Sequence, residues 1–240
     1  MVERCDLLAV GAHPDDVDLG CGATLACVAA RGARVGIVDL TAGELGTRGD
    51  VELRRREAEE AGRVLGVTWR ACLGLPDGGL GVHVDGQAAA VVGVLRIARP
   101  RVVLLPHPGD PHPDHAAAAA LIVRGAFLSG LARWGEELGP PSRPRLLLTY
   151  PGPRQILEPV LVIDTAAEYA RKRAALASHA SQFDPAAGPP THLATGHFLA
   201  AVEGRDRACG NLIGSEFGEG FASVGPIDAG EVAWLLGGLR

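Results

Sequence analysis

Lysine is almost missing from this chain: Lys172 is the only one among 23 basic residues, set against 28 acidic ones for a formal net charge of −5. The arginines group only at Arg54-Arg55-Arg56 and around Arg171-Lys172-Arg173, inside helical patterns with acidic neighbours, so no cationic face is offered to a phosphate backbone. Nucleic acid is not an expected partner. Long apolar runs are also lacking. The longest, at about residues 116–123, falls short of the roughly 18 residues a membrane span needs. Arg4 and Asp6 interrupt the start before any leader-like stretch can form. The expectation is a soluble, cytoplasmic protein without membrane contact. Five scattered cysteines (Cys5, Cys21, Cys27, Cys72, Cys209) contain no Cys-x-x-Cys pair, which argues against a disulfide framework and a thiolate metal site. Aromatic residues make up only 4%, so few rings are available to stack on a sugar. Neither Gly-x-Ser-x-Gly nor a phosphate-binding loop occurs, which disfavours serine-hydrolase and P-loop chemistry.

What is present suffices for one sizeable core: 240 residues, 47% hydrophobic and 21% charged. Short apolar runs at residues 7–10, 34–40, 68–73 and 102–106 alternate with helical patterns at 22–31, 51–65, 85–99 and 114–130. Further strands are expected at 146–150 and 160–163, and a helix at 166–179. Strand followed by helix, repeated, implies an α/β fold: a Rossmann-like, doubly wound, mostly parallel sheet covered by helices on both faces. One domain spanning 1–240 is expected, with an irregular part from about residue 183, where Gly188-Pro189-Pro190 and many small residues obscure any period.

Two clusters carry the chemistry. Ala12-His13-Pro14-Asp15-Asp16 follows the first apolar run, and His112-Pro113-Asp114-His115 follows the fourth. In a doubly wound sheet the first strand commonly neighbours the fourth where strand order reverses, and ligands gather beyond the carboxyl ends there. The two clusters should therefore face each other across one crevice. Imidazole and carboxylate donors suit zinc, with iron or manganese as alternatives. Spacing alone leaves open which three of His13, Asp15, Asp16, His112, Asp114 and His115 would bind.

Residues 11–20 (Gly-Ala-His-Pro-Asp-Asp-Val-Asp-Leu-Gly) together with His112-Pro113-Asp114-His115 resemble the two signatures of the LmbE-like, or PIG-L, zinc N-deacetylases. Thr41-Ala42-Gly43-Glu44, Arg54 with Glu57, Leu75-Pro76-Asp77-Gly78 and Ser181-Gln182-Phe183 fall in the family's order, so the resemblance covers about residues 5–185. Within the family the chain is most similar to the bacillithiol-biosynthesis enzymes, which remove acetate from N-acetylglucosaminyl malate. The resemblance implies one Zn²⁺ per chain held by His13, Asp16 and His115, with Asp15 as general base and His112 stabilising the oxyanion. It also implies an amino-sugar conjugate as substrate and a homo-oligomer. The chain departs from the family at Asp18, where glutamate is usual, and at Asp110, where related enzymes have tyrosine.

The chemistry supports these roles. Zinc lowers the pKa of bound water from about 9 for the aqua ion toward about 7, and a carboxylate beside it can shuttle the remaining proton. A protonated His112 would meet the developing negative charge, with Asp114 holding its other ring nitrogen. Arg54, Glu44, Asp77 and His192 are the candidates for gripping substrate, Arg54 being equally well read as a solvated helix face. Other readings are an inositol glycoside as substrate, a two-metal phosphoesterase, or a non-catalytic nucleotide-binding module. The last rests on Gly20-Cys21-Gly22 and Asp39, a dinucleotide fingerprint lacking its third glycine.

Overall fold

The computed structural model describes residues 1–237. Its elements are β1 (Leu7–Gly11), α1 (Asp16–Ala30), β2 (Val35–Thr41), α2 (Val51–Leu65), β3 (Trp69–Leu75), α3 (Gln87–Ala98), β4 (Val102–Pro106) and α4 (Pro113–Ser129). They continue with β5 (Leu146–Tyr150), β6 (Leu161–Asp164), α5 (Tyr169–Ser178), α6 (Ala180–Phe183), α7 (Phe198–Leu212), β7 (Gly218–Ser223) and α8 (Ala229–Leu235). The seven strands form one sheet in the order β3-β2-β1-β4-β5-β7-β6. Strands β1 to β5 run parallel, and β7 lies antiparallel between β5 and β6.

Continuous apolar runs make the central strands because helices cover both faces. Alternate residues divide between two cores. Leu7, Ala9, Ile37, Val102 and Leu104 pack with Val17 and Leu25 of α1, Leu65 of α2 and Ala175 of α5. On the other face Leu8, Val10, Leu40, Val103 and Leu105 pack with Val91 and Leu95 of α3 and Leu121 and Ile122 of α4. Among the described residues no helix is long and apolar enough to cross a membrane.

The first helix begins six residues earlier than its apolar pattern suggests, at Asp16 instead of residue 22, and is broken at Cys21 (φ −148°, ψ 18°). The break frees backbone N–H groups in mid-helix. Glu219 of β7 takes them up, accepting from Ala23 N at 3.1 Å and Thr24 N at 2.7 Å. Glu219 is paired in turn with the fully buried Lys172, 2.6 Å away, which also reaches Asp206 at 2.6 Å. Past residue 183 the chain is thus not irregular throughout: α7 and β7 bring the acids that Lys172 and the broken helix require.

Gly20 sets how closely α1 approaches the sheet. A Cβ there would lie 2.1 Å from Tyr150 Cδ2, and the Tyr150 hydroxyl donates to Val10 O at 2.9 Å, just before the first cluster. Gly20→Ala is expected to lower unfolding free energy by about 1–2 kcal/mol, because overpacking outweighs the roughly 1 kcal/mol helix-propensity gain. Urea denaturation measures it; an unchanged midpoint would refute the packing argument.

Candidate metal centre and catalytic pocket

The carboxyl ends of β1 and β4 are neighbours, with Leu7 opposite Val102 and Ala9 opposite Leu104. β2 lies on the far side of β1 and β5 on the far side of β4, so strand order reverses between these two ends. The turn after β1 carries His13 to Asp16 into the start of α1. The loop after β4 delivers His112 as N-cap of α4, with Pro113 in its first turn.

The two clusters meet. Ring nitrogens of His13, His112 and His115 come within 4.8 Å of one another. Asp16 bridges two of these rings, its Oδ2 lying 3.3 Å from His13 Nδ1 and its Oδ1 3.1 Å from His115 Nε2. Ligands at about 2.0–2.1 Å on a tetrahedral zinc stand roughly 3.3 Å apart, so Asp16 lies at ligand-to-ligand distance from each of the two rings, through a different oxygen for each. The outer nitrogens are also engaged. His13 Nε2 faces Asp77 Oδ1 at 3.1 Å and Asp114 Oδ2 at 3.4 Å, and His115 Nδ1 faces Asp110 Oδ2 at 3.2 Å. A carboxylate behind each imidazole is the usual support for a metal-ligating histidine. By donor type and support the residues fit zinc, and among the described residues ligand atoms group within 4.8 Å in two ways, the three rings and His13 with Asp77 and Asp114.

Electrostatics agree with a cation-seeking site. Burial disfavours charge on His13 and His115, yet the Asp16 carboxylate outweighs it and pushes their pKa values up to about 9 and about 11. Burial likewise opposes ionised Asp16, but the two rings hold its carboxyl well below the usual range.

His112 behaves differently from expectation. Burial and the neighbouring His115 and His13 rings lower its pKa, which favours a neutral ring over a protonated one. Its Nδ1 accepts the Asp114 backbone N–H at 3.3 Å, so a neutral ring carries its proton on Nε2. The Asp114 carboxylate is turned away from His112. It accepts from Gly78 N at 2.8 Å and faces His13.

Asp15 is buried beside this group, its Oδ1 3.3 Å from Arg54 Nη2. Arg54, from α2, also donates to Gly43 O at 2.8 Å. Gly43 has φ +66°, and a Cβ there would lie 1.9 Å from Arg54 Nη1. Arg54 is therefore not a solvated helix face: it steadies Asp15 and lines the cavity above it. Glu57, one turn later, accepts from Ser181 N and Oγ at 2.7 and 2.6 Å, which draws the Ser181-Gln182 segment toward the site.

A cavity of about 580 Å³ opens over these groups. Of the expected substrate contacts, Arg54 and Asp77 line it. Asp77 is committed to His13 and to Leu45 N at 2.9 Å, and Glu44 accepts from Asp77 N at 2.8 Å, fixing one loop to another. His192 packs edge-on against Phe198, while its neighbours Thr191 and Leu193 line the cavity. Sequence reasoning missed Arg48, Arg154 and the supporting role of Asp110. Asp110 fits because residue 152 is glycine: a Cβ there would lie 1.6 Å from its Oδ2. Asp39 is held by Arg70 at 2.8 Å, not left free to meet a ribose.

Fold and site together define an open α/β protein with a His/Asp metal-ready pocket at its topological switch point. The family described as GlcNAc-PI de-N-acetylase, PIG-L, matches residues 8–126. The crystal structure of the conserved protein TT1542 from Thermus thermophilus is 39% identical, covers 94% of this chain and 97% of its own, and superposes with TM-score 0.85. The chain belongs to the PIG-L/LmbE-like deacetylase family. Among curated relatives, the uncharacterized deacetylase YaiS of Escherichia coli is 34% identical over 48% of this chain and 64% of its own length. The 1D-myo-inositol 2-acetamido-2-deoxy-alpha-D-glucopyranoside deacetylase of Streptomyces avermitilis is 35% identical over 56% and 57%. The matches thus span less than two thirds of these relatives. The N,N'-diacetylchitobiose deacetylase from Pyrococcus horikoshii, 24% identical, shares the fold with TM-score 0.78 over 95% of this chain and 85% of its own.

Proposed function

We propose that this protein is a zinc-dependent hydrolase that removes the N-acetyl group from an N-acetylglucosaminyl conjugate. The observation that carries the reading is the convergence of His13, Asp16 and His115 beside a buried Asp15 that takes no part in bridging those rings. His13 Nδ1, Asp16 and His115 Nε2 would hold one zinc ion per chain. Bound there, zinc would supply the Lewis acidity that activates water and polarises the amide carbonyl.

The chain's own groups supply the rest. Asp15 accepts the proton of the attacking water and returns it to the departing amine, a service typically contributing roughly 10²–10⁴ in rate. Arg54 keeps the Asp15 carboxylate aimed while that proton moves. His112, neutral, donates from Nε2 to the carbonyl oxygen as negative charge develops, and one such donor is typically worth about 3–4 kcal/mol. The cavity volume lies within the range of small-molecule sites, and Arg48, Arg54 and Arg154 line it together with Asp15, Asp16, Asp77, Asp110 and Asp114. Arg48 lines the cavity but gives its Nη groups to the Gln182 and Asp184 carbonyls, its Nε being buried, whereas Arg154, exposed on the same wall, is a cation open to an anionic aglycone. This supports N-acetylglucosaminyl malate, the substrate of bacillithiol biosynthesis, as the favoured conjugate. The inositol glycoside named for several relatives is the second reading.

The test incubates zinc-loaded protein with N-acetylglucosaminyl malate, N-acetylglucosaminyl inositol and free N-acetylglucosamine, and measures released amine. No release from any of them would refute the reading. Faster release from the inositol conjugate would replace malate by inositol. Arg154→Gln is expected to raise KM for the malate conjugate about tenfold, the cost of one charge-assisted hydrogen bond, and to leave KM for free N-acetylglucosamine unchanged.

A further inference from the structure

Behind the turn that carries His13, Asp15 and Asp16 lies a guanidinium with every donor in use. Arg70 projects from β3 with 4% of its side chain exposed and does not line the catalytic cavity. Its Nε and Nη2 hold the Asp39 carboxylate of β2 in a two-point fork, at 2.8 and 2.9 Å. Nη1 reaches Asp18 of α1 at 2.9 Å and the Ala58 carbonyl of α2 at 3.2 Å. The remaining Nη2 hydrogen goes to the carbonyl oxygen of Pro14. That completes the five donors of an arginine. Asp18 is further tied to His179 Nε2 at 3.2 Å, with both side chains almost wholly buried.

Apolar side chains of similar volume in place of Arg70, Asp18 and Asp39 together would fill this space without the desolvation that buried charges incur. What only a guanidinium supplies is a rigid planar fork that fixes several acceptors relative to one another. Here the acceptors come from two helices, a strand and the metal-binding turn. The Pro14 carbonyl belongs to the peptide joining His13-Pro14 to Asp15-Asp16, so its orientation sets where the flanking side chains project. Asp18 stands where the family usually has glutamate, and in this chain its carboxylate reaches Arg70 directly.

We propose that Arg70 is a positioning residue for the metal centre, holding the Pro14-Asp15 peptide and thereby the aim of His13, Asp15 and Asp16. Its activity arm rests on the deacetylase reading above; its metal arms do not. Arg70→Lys keeps the charge and loses the fork, and Arg70→Met loses both. Three measurements decide: the visible absorption of the cobalt(II)-loaded protein, zinc affinity by competition with a chromogenic chelator, and kcat and KM for amine release.

In Arg70→Lys the cobalt spectrum is expected to change. Zinc affinity and kcat should each fall by roughly 10–100-fold, the usual consequence of losing an outer partner, with KM nearly unchanged. Arg70→Met should show the same changes, enlarged. A role in stability alone would lower the melting temperature while the folded protein kept its spectrum, zinc affinity and kcat, and that result overturns the proposal. If Arg70→Met does not fold, Asp39→Asn, which weakens only the fork, must shift the cobalt spectrum in the same direction as Arg70→Lys, and an unshifted spectrum counts against the proposal. The cobalt and zinc arms need no substrate, so they decide the role of Arg70 even if no conjugate is hydrolysed.

Discussion

Asp15→Asn is expected to lower kcat for amine release by roughly 10²–10⁴ while zinc content stays at one ion per chain. The substitution keeps the size of the side chain and an oxygen for the Arg54 guanidinium, 3.3 Å away. It removes the ability to take up and return a proton. Because Asp15 does not bridge His13 and His115 as Asp16 does, the change spares the metal donors. The loss should therefore fall on kcat, with little change in KM. Zinc by elemental analysis and initial rates with a released-amine assay separate the two effects. Undiminished turnover would remove Asp15 from its assigned part, and loss of zinc would mark it as a ligand.

The second large effect is expected at His115. Its ring is buried between two carboxylates, Nε2 on Asp16 at 3.1 Å and Nδ1 on Asp110 at 3.2 Å. His115→Ala deletes a direct donor, leaving His13 and Asp16 as the remaining proposed pair. A catalytic zinc site uses three protein ligands, so zinc should be lost on dialysis and activity with it. Asp110→Asn provides the scale. It leaves the ring in place but weakens its support, which should cost roughly 10–100-fold in zinc affinity or activity. The ordering is the test: His115→Ala must lose more zinc affinity than Asp110→Asn. A His115→Ala protein that retains stoichiometric zinc would exclude this ring from the ligand set.

The meeting of two clusters about a hundred residues apart is legible in the sequence because each directly follows a continuously apolar run. Such runs mark central strands of a parallel sheet, and the fold places their carboxyl ends together. Roles that depend on orientation are harder to read. Adjacency pairs Asp114 with His112, yet the first turn of α4 points its carboxylate at His13 and gives His112 only a backbone N–H. Glu44 has the composition of a sugar-binding residue and fastens one loop to another through the Asp77 N–H, while the Asp77 side chain lines the cavity and faces His13. Nothing in local sequence distinguishes a carboxylate facing a ligand from one facing a backbone amide. The supporting acids and arginines are legible only as anomalies: Asp110 as a departure from the family, Asp39 and Arg70 as lone charges inside apolar strands. Each is explained by a partner distant in sequence, as Arg70 is for Asp39, or by the missing Cβ of Gly152.

The start of α1 escapes sequence reading for a related reason. Gly20 and Gly22 look like a loop, and no signal near them announces that Glu219 will take up the amides exposed by the break. β7, with glycine at residues 218 and 220, has no strand-like run of its own; it is a strand because β5 and β6 leave a place between them.

That place has a consequence for how the molecule is made. Among the described residues β6 joins the sheet only through β7, so on the ribosome residues 161–164 lack that neighbour until residues 218–223 have emerged. Lys172, already synthesised, must wait for Asp206 of α7 and then for Glu219 of β7 itself. Nascent chains halted before residue 218 should therefore hold a protease-sensitive segment from about residue 161, with full protection arriving late and cooperatively once the last strand slots in.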